Sequence, residues 1–136
     1  MDKRKYYKIV FLSGSLWNIT IAVIFTLLTL FALPLAATLF KLAIPPSLVF
    51  ICGFLALVFA IGIGLYTVSV DIDKNHGVVQ MCAVEKYLVF IVFLIFFIMG
   101  DYNIGLFLPV VVDLIYGILF TEFLLNYKKQ IGRAHV

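Results

Sequence analysis

The stretch QMCAVEKYLVFIVFLIFFIMG (residues 80–100) carries the adjacent charges Glu85 and Lys86 inside an otherwise apolar run. As a helix, residues 87–99 would span only roughly 20 Å, at about 1.5 Å per residue, whereas the hydrocarbon core of a membrane is about 30 Å thick. The helix must therefore begin earlier, near residues 77–80, which places Lys86 about 10 Å below the membrane surface. This segment decides the fold class because it predicts a membrane-spanning helix with an embedded acid–base pair.

The composition of the whole chain also indicates a membrane protein. Of its 136 residues, 65% are hydrophobic and 12% are charged, and the mean hydropathy is +1.19, values far from those of a soluble domain. Four apolar stretches are long enough to cross a membrane: residues 9–33, 46–70, 77–99 and 104–125. They predict an all-α, polytopic membrane protein, folded as an up-and-down bundle of four transmembrane helices.

The connections between these stretches are short, which predicts one transmembrane domain over residues 1–130. We expect the apolar connection after the first span to lie along the outer interface as a short amphipathic segment. The final IGRAHV (residues 131–136) shows no helical pattern and is predicted to be a tail, with a cloning-vector origin left open.

The basic residues predict the orientation of the bundle. Nine of the ten lie on one side of the predicted membrane, and Lys41 alone lies on the other. By the positive-inside rule, both the N terminus and the C terminus are expected in the cytoplasm, with the protein in the bacterial plasma (inner) membrane. The net charge of +3 then indicates anchoring to anionic lipid and not nucleic-acid binding.

Five polar residues within the spans are candidate ligand-binding residues, because polar groups in lipid turn inward and find partners. They are Asn18, Tyr66, Lys86, Asp113 and Tyr116. We expect them to line a polar pocket in the cytoplasmic half of the bundle, open to the cytoplasm. Asp113 is the strongest candidate, since so short a side chain near mid-membrane cannot reach the headgroups.

Several of these residues also admit a purely structural role. Lys86 either extends its side chain back to the headgroups or pairs with Glu85, Glu122 or Asp113. Asn18 is interpreted first as a hydrogen-bonding residue between helices. The aromatic residues near the helix ends, Tyr7 and Trp17 among them, are interpreted as an interfacial belt, although Trp17 sits deep for that role.

Small residues recur every three or four positions on three of the spans and predict close helix packing. On the second span this ridge comprises Gly53, Ala56, Ala60 and Gly64. We expect it to face the neighbouring helices.

No motif for a cofactor, a metal or catalysis is recognisable. The two histidines, His76 and His135, belong to a loop and to the tail, which gives no metal-ligand spacing. No nucleophile motif or matched pair of aspartates is present. The sequence therefore predicts no cofactor and no metal, and it makes an enzyme the less favoured interpretation.

Several short motifs together resemble those of small, uncharacterised bacterial four-helix integral membrane proteins, for which no activity is established. The matching residues are Trp17-Asn18, Pro45-Pro46, residues 62–66, residues 73–76, Glu85-Lys86 and residues 112–116. The chain departs from the pattern of that group at Glu85, Val112 and Tyr116, where Gly, Asn and Trp are usual. The resemblance covers most of the chain and implies the same fold and the same choice of polar residues, but no function.

These observations favour a membrane protein that binds a small or amphipathic ligand, or a lipid, in the polar pocket. Asp113 would serve as a buried acceptor or counter-ion, and Lys86 as the partner of an anionic group. Two alternatives remain: a proton- or ion-coupled small transporter acting as a homo-oligomer, and a structural or accessory membrane subunit whose polar residues only specify helix pairing.

Overall fold

The computed structural model describes the backbone of residues 2–134 and the side chains of residues 2–127. This part of the chain contains no β-strand and is built from α-helices. These are α1 (Lys3–Phe31), α2 (Leu33–Phe40), α3 (Val49–Val70), α4 (His76–Met99) and α5 (Ile104–Ala134). Four of them are long and apolar enough to cross a membrane, α5 by its Ile104–Tyr127 part. The predicted all-α class with four potential membrane spans is confirmed.

The helix ends follow from local chemistry. The Asp2 side chain accepts a hydrogen bond from the backbone N–H of Arg4, which caps the start of α1. Ala32, whose backbone is not helical, separates α1 from α2, whose first turn holds Pro34, a residue favoured at helix starts because it lacks an N–H. Gly100, with φ of 83°, ends α4 in a left-handed conformation that glycine adopts without steric cost.

Two helices extend further than the apolar stretches that predicted them. α1 begins at Lys3 instead of residue 9, and α5 continues to Ala134, past residue 131 where the non-helical tail was expected to begin. Hydropathy marks only the part of a helix that suits lipid, whereas backbone hydrogen bonds carry the helix into its polar flanks. Residues 135–136 of the expected tail lie outside the described residues.

The long helices associate as two pairs, α1 with α3 and α4 with α5. The pairs meet in a hydrophobic core near the end of the bundle that holds the N terminus and the α3–α4 loop. Phe11, Phe120, Leu65 and Val79 are fully buried there. The ring centroids of Phe11 and Phe120 lie 5.4 Å apart in a stacked arrangement. This aromatic layer holds α1 against α5.

The backbones of α1 and α3 approach closely at Gly62. Its carbonyl oxygen accepts a hydrogen bond of 2.7 Å from the Ser15 hydroxyl. A methyl group on Gly62 would lie 2.7 Å from the Ile19 side chain and 3.2 Å from the Ser15 carbonyl oxygen, which is too close. Glycine at this position therefore permits the two backbones to touch.

The predicted small-residue ridge on the second span is wrong for three of its four members. Gly53, Ala56 and Ala60 are exposed on the outer face of α3. Gly64 is half-buried and does face a neighbouring helix, since a methyl group there would lie 3.2 Å from the Val78 side chain of α4. The buried face of α3 instead carries Leu55, Val58, Gly62, Leu65 and Val68.

The outer surface of the helices is strongly apolar. Large side chains such as Phe31, Phe50 and Ile98 are exposed, Phe50 to 86%. A soluble protein rarely presents so much continuous apolar surface, whereas acyl chains cover it at no cost. The surface and the four long apolar helices together define a multi-pass membrane protein.

Candidate functional site

The Lys86 ammonium is the centre of a buried polar cluster. Lys86 is 1% exposed although it lies ten residues into α4. Its Nζ donates to Asn18 Oδ1 at 2.7 Å and to Asp113 Oδ1 at 2.9 Å. Glu85 Oε2 lies 3.6 Å from the same nitrogen. The charge is therefore satisfied inside the protein, and the side chain does not extend to the headgroups.

Three helices supply this cluster. Asn18 comes from α1, Lys86 from α4 and Asp113 from α5, so the ammonium joins the two helix pairs. Gly117 lies one turn after Asp113, and a methyl group there would lie 3.1 Å from Lys86 Cβ. The absence of a side chain at Gly117 lets α5 approach the base of the lysine. The position of Lys86 thus depends on the small residue at position 117 as well as on its charged partners.

Trp17 is a further member of the cluster. Its Nε1–H donates to Asp113 Oδ1 at 3.1 Å, so this one oxygen accepts from both the indole and the ammonium. Trp17 is therefore not the interfacial-belt residue that the sequence predicted. The unusual depth of Trp17 in its span is the one signal in the sequence against a belt position. The two donors orient the Asp113 carboxylate.

Two buried polar atoms of the cluster lack a hydrogen-bond partner among the described residues. They are Asn18 Nδ2 and Glu85 Oε2. Because Asn18 Oδ1 faces the ammonium, its amide NH₂ must point elsewhere. Unpartnered buried donors are uncommon in proteins and indicate a place for water or a ligand.

A small chamber of about 80 Å³ adjoins the cluster. Its polar lining residues are Trp17, Asn18 and Asp113, and its remaining lining is apolar. The chamber extends away from the N-terminal end of the bundle, towards Phe54 and Phe93.

A larger cavity of about 680 Å³ follows the chamber in the half of the bundle that contains α2. Most of its lining is hydrocarbon or aromatic, and α2 contributes Ala36, Ala37 and Phe40. Four residues line both the cavity and the chamber: Phe25, Leu55, Phe93 and Leu106. The two spaces therefore adjoin, one apolar and one with a polar floor.

This arrangement differs from the expected pocket open to the cytoplasm. On the side of the cluster nearest the N terminus, the core around Phe11, Phe120 and Phe123 is tightly packed. The ring centroids of Phe11 and Phe123 lie 4.9 Å apart in an edge-on arrangement. The chamber and the cavity lie on the opposite side of the cluster.

The remaining predicted site residues lie outside the cluster. Tyr66 is 54% exposed on the outer face of α3. The Tyr116 ring packs close to Gly14 and lies 5.9 Å from the Phe120 ring. Glu122 does not reach Lys86 but accepts hydrogen bonds from the Tyr7 hydroxyl at 3.1 Å and from Asn126 at 3.4 Å. Of the candidates, only Asn18, Lys86, Asp113 and Glu85 come together.

No group of three or more His, Cys, Asp or Glu side chains suited to a metal ion is found within the described residues. Cys82 is buried in the core and Cys52 is half-buried, and neither forms a disulfide.

Comparisons of the chain with protein-family models, with curated proteins and with solved structures give no match.

Proposed function

We propose that this protein binds a single-chain or similarly slender amphipathic lipid within the membrane, with the apolar chain of the lipid in the large cavity. The observation that carries the proposal is the mostly apolar cavity of about 680 Å³, which adjoins a chamber whose lining includes Trp17, Asn18 and Asp113. Ligand sites in proteins have volumes of about 300–1,000 Å³ and combine a mostly apolar lining with a few convergent polar groups. Both features are present together.

A lipid is the occupant that best matches the surroundings of the cavity. The cavity lies between helices whose outer faces suit acyl chains, so a molecule dissolved in the membrane reaches it without crossing water. The polar lining members, Thr29, Asp101 and Tyr102, are few compared with the aliphatic and aromatic ones. Burial of a hydrocarbon chain against such a lining is favoured by close packing.

In this proposal Lys86 has a structural role, whereas the sequence predicted it to be the partner of an anionic group of the ligand. Lys86 Nζ already donates to Asn18 and Asp113, and the Glu85 carboxylate lies 3.6 Å away, so two acidic side chains already balance its charge. Lys86 instead joins the helices around the site, and Trp17, Asn18 and Asp113 are the polar residues that line the chamber.

We further propose the up-and-down arrangement in the plasma membrane, with both termini in the cytoplasm. An ion pair between Arg4 and Asp73 joins the start of α1 to the loop after α3. The Tyr7–Glu122 hydrogen bond adds the end of α5 to the same face. At the opposite face, Asn103 after α4 donates to the carbonyl oxygen of Leu39 in α2. The distribution of basic residues supports the cytoplasmic assignment of the first face.

The binding proposal is tested by native mass spectrometry of the protein purified in mild detergent. We expect a bound lipid in the wild type and its loss in Ala36→Trp, because Ala36 is buried in the cavity wall. Ala60→Trp is the matched control, since Ala60 is exposed on α3 and lines none of these spaces. Equal lipid content in the wild type and in both variants would contradict the proposal.

A further inference from the structure

We propose that the chamber recognises a free hydroxyl group, so that the ligand is a neutral long-chain alcohol or a neutral lipid with one small hydroxyl head. Asn18 Nδ2 would donate to the hydroxyl oxygen, and the Asp113 carboxylate would accept its proton in a hydrogen bond. The inference rests on the proposed function and adds to it the chemistry of the head group.

The amide of Asn18 offers an unused donor. Asn18 is 1% exposed, and its Nδ2 has no hydrogen-bond partner among the described residues. The Lys86 ammonium cannot tolerate the amide in the flipped orientation, because two donors would then face each other. The NH₂ group is therefore held as a donor without an acceptor, next to a chamber that Asn18 lines. A ligand that supplies an acceptor removes this unfavourable state.

The carboxylate of Asp113 offers an unused acceptor. Its Oδ1 receives both described hydrogen bonds, from Lys86 and from Trp17. Its Oδ2 receives none from the part of the chain that the structure describes, and Asp113 also lines the chamber. Asn18 and Asp113 thus line the same small space, and each has one polar atom without a hydrogen bond from the described residues. A hydroxyl group satisfies both, since it donates one hydrogen bond and accepts others.

The charges around the chamber favour a neutral head group. Lys86 does not line the chamber, and its charge already faces the carboxylates of Asp113 and Glu85. An anionic head would therefore meet a carboxylate without a free cation beside it, which is unfavourable in a low-dielectric site. A protonated amine would suit Asp113 but could not accept from Asn18. A neutral head is the one that both residues favour.

The chamber is small. Its volume is about 80 Å³, against about 680 Å³ for the adjoining cavity, so a head group of few atoms suits it best. The adjoining cavity has room for the hydrocarbon chain that such a head would carry.

The test compares four probes of equal chain length in detergent micelles: hexadecanol, hexadecane, palmitate and hexadecylamine. Trp17 is the only tryptophan of the chain and lines the chamber, so its fluorescence reports binding there, and native mass spectrometry gives the stoichiometry. We expect hexadecanol to bind about tenfold more tightly than hexadecane, the gain expected from two net hydrogen bonds. Palmitate at neutral pH and hexadecylamine are expected to bind more weakly than hexadecanol.

Asn18→Asp is the decisive variant. It keeps an acceptor for Lys86 and nearly the same shape, but it replaces the free donor by an acceptor. We expect the advantage of hexadecanol over hexadecane to fall to about twofold or less. Asn75→Asp, the same change in the exposed α3–α4 loop at the far end of the bundle, is expected to leave it unchanged. The comparison of the four probes on the wild-type protein tests the inference even if Asn18→Asp does not fold.

The outcomes separate the two proposals. If all four probes bind the wild type equally and Ala36→Trp blocks them, the lipid cavity stands and the hydroxyl inference is overturned. Tighter binding of palmitate or hexadecylamine than of hexadecanol would overturn the inference in the same way. If no probe binds, both proposals fail.

Discussion

Replacement of the Lys86–Asp113 pair is the most direct test of how the bundle is held together. The Nζ–Oδ1 distance of 2.9 Å corresponds to a gross attraction of about 6 kcal/mol at an effective dielectric constant near 20. Glu85 at 3.6 Å adds about 5 kcal/mol by the same relation. Most of this is offset by the cost of removing the charges from water. We therefore expect Lys86→Met alone to destabilise the fold by about 3 kcal/mol, because it leaves carboxylates without their cation.

The pairwise part is measured by a double-mutant cycle with Asp113→Asn, which removes the charge but keeps acceptors for Lys86 and Trp17. We expect a coupling energy of about 2 kcal/mol, reduced from the gross attraction because Glu85 still faces the lysine in the single variant. Unfolding in micelles titrated with dodecyl sulfate, followed by Trp17 fluorescence and circular dichroism, supplies the four stabilities. A coupling energy below about 0.5 kcal/mol would refute the view that this pair joins α4 to α5.

Three further predictions concern packing, the cavity wall and topology. Gly62→Ala should destabilise the protein by about 1–3 kcal/mol through overpacking against α1, whereas Gly53→Ala should be near neutral because nothing lies within 4 Å of the new methyl group; dodecyl sulfate titration measures both. Asn103→Ala removes the hydrogen bond to Leu39 in α2, so lipid exchange, measured by the rate of probe release, should become faster. It also removes the acceptor of the Gly105 N–H at the start of α5, so the stability of the bundle should fall by about 1 kcal/mol. The orientation is tested with single cysteines in a protein whose two native cysteines are replaced. A cysteine at position 74 should react with a membrane-impermeant thiol reagent only in inverted vesicles, and a cysteine at position 41 only in intact cells. The opposite pattern would contradict the proposed orientation.

The depth of Lys86 along its helix is largely predictable from the sequence. The residues after the charges are too few to cross the membrane, so counting turns places the start of the helix near residue 77, and α4 begins at His76. Length and hydropathy are local properties of a segment, and they depend little on the neighbouring helices. For the same reason, the deep position of Asn18 and Asp113 is visible before any packing is known.

The choice of partners is not predictable from the sequence. The sequence offers three ion-pair partners for Lys86: Glu85, Glu122 and Asp113. The rotation of α5 and its position along the bundle decide that Asp113 reaches Lys86 while Glu122 faces Tyr7. The residue type of Trp17 suggests the interfacial belt, whereas the tertiary structure brings its indole to Asp113.

The sequence by itself thus determined the number of spans, their approximate ends and the depth of each polar residue, because these follow from chain length and the thickness of the lipid. Only the tertiary structure decided which face of each helix is buried. Lipid is as apolar as the protein interior, so the hydrophobic pattern does not distinguish the two faces of a spanning helix. That is why Gly53, Ala56, Ala60 and Tyr66 of α3 face outward against expectation. It is also why the apolar cavity appeared only when the helices were packed together.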